Sequence, residues 1–347
     1  MNALTIQGAG DQTQRLLDGL AKPPGSLGRL EALAVRLAAA QGQVPPRAER
    51  SRVLVFAADH GVAREEAVSP YPPEVTALMV RTFNAGKAAV CALARSAGAE
   101  LEVVDVGVRG LGELPPAAPG VRVFRHPVKK GTANLAKKPA MSLPDCALAL
   151  ATGAEAAGRA AAEGVQLLAL GEMGIGNTTA AAALAARLLG APPEALAGPG
   201  TGLDAAGVAR KVEVIRRALA RGGPREPIGA LADLGGFELA AMAGCILEAA
   251  RLRLPVVLDG FIVGAAALAA LRMNQGVQPF LFLATASAEP GHRRVIEALG
   301  VGEPLLDWGL RLGEGSGAAL SLPLFRAAAR LCVEVASLDD VLAGRVG

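Results

Sequence analysis

The stretch Gly171-Glu172-Met173-Gly174-Ile175-Gly176-Asn177-Thr178-Thr179 joins an apolar run, Val165 to Leu170, to an Ala-rich run, Ala180 to Leu189. That order reads as strand, glycine loop, helix. Glycines at 174 and 176 let backbone come close to a ligand, and Asn177, Thr178 and Thr179 suit a helix start whose amides face an anion. A phosphate fits such a loop. The plainer alternative is that Asn177 merely caps a buried helix, since glycine loops between strand and helix are common in α/β proteins. Glu172 favours the first reading. An acid beside an anion cradle repels phosphate, so its use is to face a developing positive charge or a polar substrate group.

A second acid lies between glycines in Leu310-Arg311-Leu312-Gly313-Glu314-Gly315-Ser316-Gly317. A carboxylate desolvated by Leu310 and Leu312 holds its proton more tightly, which suits a general base, although a glutamate at a helix start also answers the helix dipole. Asp259 ends the run Val256-Val257-Leu258 and precedes Gly260, where it either takes a ribose hydroxyl or braces the cleft. It has no second acid beside it and no Thr-Gly-x-Thr after it, which argues against a magnesium-bound pyrophosphate donor. Lys211, in a chain that prefers arginine, suits a point charge on a phosphate or carboxylate, or else a solvated helix face. Asp59-His60-Gly61 follows another apolar run, and Asp59 there either orients His60 or caps a loop. With only three histidines, a histidine-based metal centre is not expected. No Walker A motif occurs, and no spaced G-x-G-x-x-G follows the first apolar run.

These side chains need a scaffold, and six short apolar runs supply one: Val53 to Ala57, Leu101 to Val106, Val121 to Phe124, Val165 to Leu170, Val256 to Leu258 and Pro279 to Ala284. Their polarity does not alternate, as expected when helices cover both sheet faces. The expected fold is α/β, a doubly wound, mostly parallel six-stranded sheet. Ligands in such sheets bind outside the carboxyl ends of the strands, where the acids and glycines above collect. Both chain ends read as helical, from about Leu16 to Ala40 with an interruption at Pro23-Pro24-Gly25, and from Leu320 to Leu342. A small helical subdomain, 1–45 plus 320–347, is therefore expected beside an α/β catalytic domain, 46–319.

Composition limits the partners. Of 347 residues, 52% are hydrophobic but only 3% aromatic, so the core must be built from Ala, Val and Leu. A net charge of +3, with no basic tract carrying aromatics, gives no nucleic-acid face. Cys91, Cys146, Cys245 and Cys332 are widely spaced and read as small buried hydrophobes. Met1 to Leu20 lacks an export signal, which implies a cytoplasmic protein, and Phe261 to Leu271 is too short to cross a membrane and reads as a core helix.

Taken together, Lys22 to Glu31, Ala58-Asp59-His60-Gly61-Val62, Gly131-Thr132-Ala133-Asn134, Gly171 to Thr179, Gly200-Thr201-Gly202-Leu203-Asp204, Ser287 to His292 and Leu310 to Gly317 resemble the nicotinate-nucleotide-dimethylbenzimidazole phosphoribosyltransferases, in the family's order and nearly end to end. The resemblance implies a homodimer acting on two small molecules without a cofactor or metal. It implies transfer of the 5-phosphoribosyl group of nicotinate mononucleotide to 5,6-dimethylbenzimidazole, giving α-ribazole 5'-phosphate and nicotinate. The family's catalytic glutamate falls on Glu314, its second active-site glutamate on Glu172 and its cleft lysine on Lys211. Its phosphate and nucleotide contacts fall on Gly174, Ile175, Gly176, Asn177, Thr178, Gly200, Thr201, Gly202 and Asp259. Its base-binding region matches Ser69, Tyr71, Leu78, Met173 and Leu312, with Leu78 standing where some relatives carry Gln. The competing reading, a nucleotide-binding oxidoreductase or regulatory module on the same sheet, is opposed by the missing dinucleotide fingerprint.

Overall fold

The computed structural model describes residues 3–346, with side chains from Gln7 onward. Elements follow in the order α1 (Ala3–Asp18), α2 (Arg29–Gln41), β1 (Ser51–Ala58), α3 (Gly61–Glu65), α4 (Val75–Asn84), α5 (Ala89–Ser96), β2 (Glu100–Gly107), β3 (Val121–Arg125), α6 (Leu143–Ala162) and β4 (Leu167–Met173). There follow α7 (Asn177–Leu189), α8 (Ala205–Ala220), α9 (Pro227–Leu234), α10 (Phe237–Arg251), β5 (Val256–Leu258), α11 (Phe261–Met273), β6 (Leu281–Leu283), α12 (Pro290–Leu299), α13 (Ser316–Glu334) and α14 (Leu338–Leu342).

The six strands form one sheet in the order β3-β2-β1-β4-β5-β6, every pair parallel. Each of the six apolar runs contributes one strand. The order reverses between β1 and β4, so the crevice expected of a doubly wound sheet opens at their carboxyl ends. β1 and β4 are buried along their whole length. One helical layer is built from α6, α10 and α11, the other from α5 and α13 with α2 behind.

Small residues make this packing possible where aromatics are scarce. A Cβ on Gly153 of α6 would lie 1.7 Å from the Ala241 carbonyl oxygen of α10, and one on Gly244 would lie 2.0 Å from that of Leu150. The two helices thus meet backbone to backbone, and close packing is achieved with alanine-sized side chains. All four cysteines are free and buried, as expected of small hydrophobes.

Several boundaries differ from the sequence expectation. The sixth strand begins at Leu281, because Pro279 and Phe280 close a 3-10 helix, Gln275–Phe280, rather than joining the sheet. The C-terminal helix is two helices: α13 ends at Glu334, and Ser337 accepts a bond from the Asp340 amide to start α14. The N-terminal helix begins at Ala3, well before Leu16. Met1, Asn2 and Gly347 of the expected helical subdomain lie outside the described residues.

Candidate active site

β4 delivers Glu172 and Met173 to the crevice, and the chain then turns through Gly174 and Gly176 into α7. Each glycine has a steric reason. A Cβ on Gly174 would lie 2.4 Å from the Ala58 carbonyl oxygen, and Gly176 takes φ 95° as it caps α7. The Asn177 and Thr179 amides turn back onto the carbonyls of Gly174 and Gly176, both at 3.0 Å, and the Ile175 amide donates to Thr76 Oγ1 at 3.1 Å. The start of α7, with its partial positive charge, faces the cavity.

The main cleft encloses about 780 Å³, open solvent included, and its wall carries Glu172, Met173, Gly174, Ile175, Asn177, Thr178, Gly200, Thr201, Asp259, Glu289, Leu312 and Gly313 among others. A smaller cavity of about 280 Å³ on the other side of the loop is lined by Ser69, Gly176, Thr178, Thr201 and Lys211. Lys211, only 1% exposed, donates to the Gly198 carbonyl at 2.8 Å and to Thr178 Oγ1 at 3.2 Å. Burial pulls its pKa down to about 8, against the pull of Glu289.

Three acids are buried together. Glu172 accepts a hydrogen bond from Asn177 Nδ2. Burial, followed by the charges of Asp259 and Glu238, raises its pKa to about 8. Glu314 is held by a backbone contact that only glycine permits, since a Cβ on Gly171 would lie 2.3 Å from the Gly315 nitrogen and 2.4 Å from the Glu314 carbonyl carbon. Glu314 itself takes φ 62°, a conformation that favours glycine, and its Oε2 meets no hydrogen-bond partner among the described residues. Burial and then Asp259 raise its pKa to about 7. Asp259 accepts from the Gly315 and Ala318 amides at 3.2 and 3.0 Å, so it pins the turn that carries Glu314 to the start of α13. Burial lifts its pKa to about 6 against those amide bonds. These bonds are a brace, and Asp259 also lines the cleft.

Nearly the whole chain can be matched to known proteins. A family model described as phosphoribosyltransferase matches residues 5–341. The nicotinate-nucleotide–dimethylbenzimidazole phosphoribosyltransferase of Azotobacter vinelandii is 54% identical over 330 residues, covering 94% of this chain and 92% of its own. The chain belongs to the nicotinate-nucleotide–dimethylbenzimidazole phosphoribosyltransferase family. Its Thermus thermophilus namesake is 53% identical over 92% of this chain and 94% of its own. A crystal structure under that name, from the same organism, superposes with a TM-score of 0.88 at 50% identity, covering 98% of this chain and 99% of that one.

Within this phosphoribosyltransferase, the expected residues divide by position. Glu172, Met173, Gly174, Ile175, Asn177, Thr178, Gly200, Thr201, Asp259 and Leu312 share the main cleft. Ser69, Gly176 and Lys211 line the smaller cavity. Glu314 sits between wall residues Gly313 and Ser316 without lining either cavity, and Gly202 lines neither. Tyr71 and Leu78 are exposed on the surface, by 49% and 57%.

Two site residues escaped the sequence reading. Glu289 lines the cleft and accepts from the Gly200 amide at 2.7 Å, ordering the loop that Lys211 also holds. Its signal was Glu289-Pro290 at a helix start. Glu238 pairs with His60, whose Nε2 lies 2.7 Å from Glu238 Oε1. Asp59 turns away to accept the Arg109 amide at 2.7 Å, so it caps a loop. The signal for Glu238 was Gly235-Gly236 ahead of a helix.

Proposed function

We propose that the chain transfers the 5-phosphoribosyl group of nicotinate mononucleotide to 5,6-dimethylbenzimidazole, releasing nicotinate and forming α-ribazole 5'-phosphate. The observation that carries this reading is the pairing of a helix-start anion loop with two buried carboxyls, Glu172 and Glu314, whose affinity for protons is raised. In the proposed reaction the bond from the anomeric carbon to the pyridinium nitrogen breaks, and its electron pair stays on the ring as nicotinate departs. A benzimidazole nitrogen bonds to that carbon from the opposite face, and the proton on its other nitrogen passes to Glu314. Glu172 faces the positive charge that builds on the ribosyl group. The Gly174, Ile175, Gly176, Asn177 and Thr178 backbone takes the phosphate, with Lys211 as counter-charge through Thr178. Gly200, Thr201 and Gly202 close on the nucleotide, and Ser69, Tyr71, Leu78, Met173 and Leu312 form the acceptor side.

A homodimer belongs to the same reading. Free buried cysteines suit a reducing cytoplasm, and among the described residues no helix is long and apolar enough to cross a membrane. We also propose that residues 1–45 and 320–347 act as one helical unit beside 46–319. Packing of α1, α2 and α13, and the bridge from Leu20 to Ser337, support it.

The test is incubation with nicotinate mononucleotide and 5,6-dimethylbenzimidazole, following α-ribazole phosphate by chromatography. Product from the wild type is the expected result. Bound mononucleotide without product would reject the acceptor, and no binding of the mononucleotide would reject the reaction.

A further inference from the structure

The buried pair under the anion loop takes no part in the chemistry above. His60 follows β1, Glu238 lies in the first turn of α10, and both are 0% exposed. Three glycines make room for them. A Cβ on Gly236 would lie 2.4 Å from His60 Cε1 and 2.5 Å from Glu238 Oε2. A Cβ on Gly174 would lie 3.3 Å from His60 Nε2, and one on Gly176 would lie 3.5 Å from His60 Cβ. The imidazole is therefore the floor on which the loop rests. His60 Nδ1 and Glu238 Oε2 meet no partner among the described residues. An unpaired buried polar atom is costly, so two apolar side chains would serve packing better. Burial works against a proton on the ring, but the carboxylates of Glu238 and Asp59 outweigh it, and the His60 pKa is raised.

We propose that His60 and Glu238 are a positioning pair that fixes the Gly174–Gly176 backbone at the height the donor's phosphate requires. The pair acts through the loop and touches no substrate. The proposal rests on the transferase reading, which assigns the phosphate to that loop.

The experiment compares Glu238→Ala and Glu238→Gln with the wild type in steady-state kinetics, with thermal midpoints recorded for each. Glutamine keeps an acceptor for the Nε2 proton. In Glu238→Ala, KM for nicotinate mononucleotide rises about tenfold while kcat changes less than about threefold. Glu238→Gln restores most of the loss, and KM for dimethylbenzimidazole stays near the wild-type value. Equal losses for both substrates, or a glutamine variant no better than alanine, would overturn the proposal. A wild-type measurement decides the matter even where a variant does not fold. With histidine labelled in nitrogen-15, inorganic phosphate moves the His60 ring signals and leaves those of His126 in place. Unmoved His60 signals at saturating phosphate would overturn the pair's role. Shifted signals from a protein that makes no product would instead reject the transferase reading alone.

Discussion

Glu314 and Glu172 are both buried carboxyls whose pKa burial raises. As the proposed base, Glu314 has a pKa near 7, suited to accepting a proton at neutral pH, and losing a general base costs about 10²- to 10⁴-fold in rate. Glu314→Gln should lower kcat by that order, and the wild-type rate should fall as pH drops through about 8, where Glu172 takes a proton, and again through about 7, where Glu314 does. A flat pH profile down to pH 5, or a variant within tenfold of the wild type, would remove Glu314 from that role. Both carboxyls titrate higher when folded than the ordinary 4.5, to about 8 for Glu172 and about 7 for Glu314. The folded state therefore holds protons that the unfolded chain releases. The stability they contribute is full below pH 4.5 and is lost as pH rises through about 7 and then about 8. Glu172→Gln keeps an acceptor for Asn177 and removes the charge, so its thermal midpoint at pH 8.5 should exceed the wild type's by roughly 2 °C or more, with a smaller gap at pH 5. An equal gap at both values would contradict this account. The order of strand, glycine loop and helix around Glu172 was legible because the three are contiguous, although the cap is Gly176 and not Asn177, whose side chain turns to Glu172 instead. Glu238 was not, since 178 positions separate it from His60 and only the meeting of β1 with α10 joins them.

At the scale of elements, the sheet was legible for a physical reason. Strands covered on both faces carry unbroken apolar runs along their middles, and β1, β4 and β5 are buried throughout. Ends were less legible, because a terminus depends on one cap or turn: Pro279 sits in a 3-10 helix, and Ser337 starts a separate helix. The seam between β4 and the Glu314 turn was invisible in sequence, since nothing local says that Gly171 faces Gly315. It makes a sharp prediction. Gly171→Ala places a methyl group 2.3 Å from the Gly315 nitrogen and must push the turn away. A displacement of about 1 Å can cost about 10²-fold in rate, and kcat should fall by that order while far-ultraviolet circular dichroism stays unchanged. An unaltered kcat would mean that Glu314 needs no such support.

At the scale of the molecule, the amino ends of the strands carry a charged anchor opposite the crevice. Arg52, fully buried in β1, reaches Glu100 at 2.6 Å, Glu102 at 3.0 Å and Glu163 at 2.7 Å, while Arg159 takes the other oxygen of Glu102 at 2.8 Å. Removing Arg52 leaves Glu102, only 1% exposed, without its buried partner, while Glu100 and Glu163 keep contact with solvent. Arg52→Ala should cost about 3–5 kcal/mol in denaturant unfolding, whereas a loss under about 1 kcal/mol would mean that Arg122 and Arg159 neutralise the acids alone. The scarcity of aromatic residues, which dictates the glycine and alanine contacts of α6 and α10, has a last consequence in optics. The chain has one tryptophan, Trp308, two residues before Leu310 in the cleft wall and 68% exposed. Its emission therefore comes from one exposed indole two residues from the cleft wall, an intrinsic lamp whose colour follows whatever covers it.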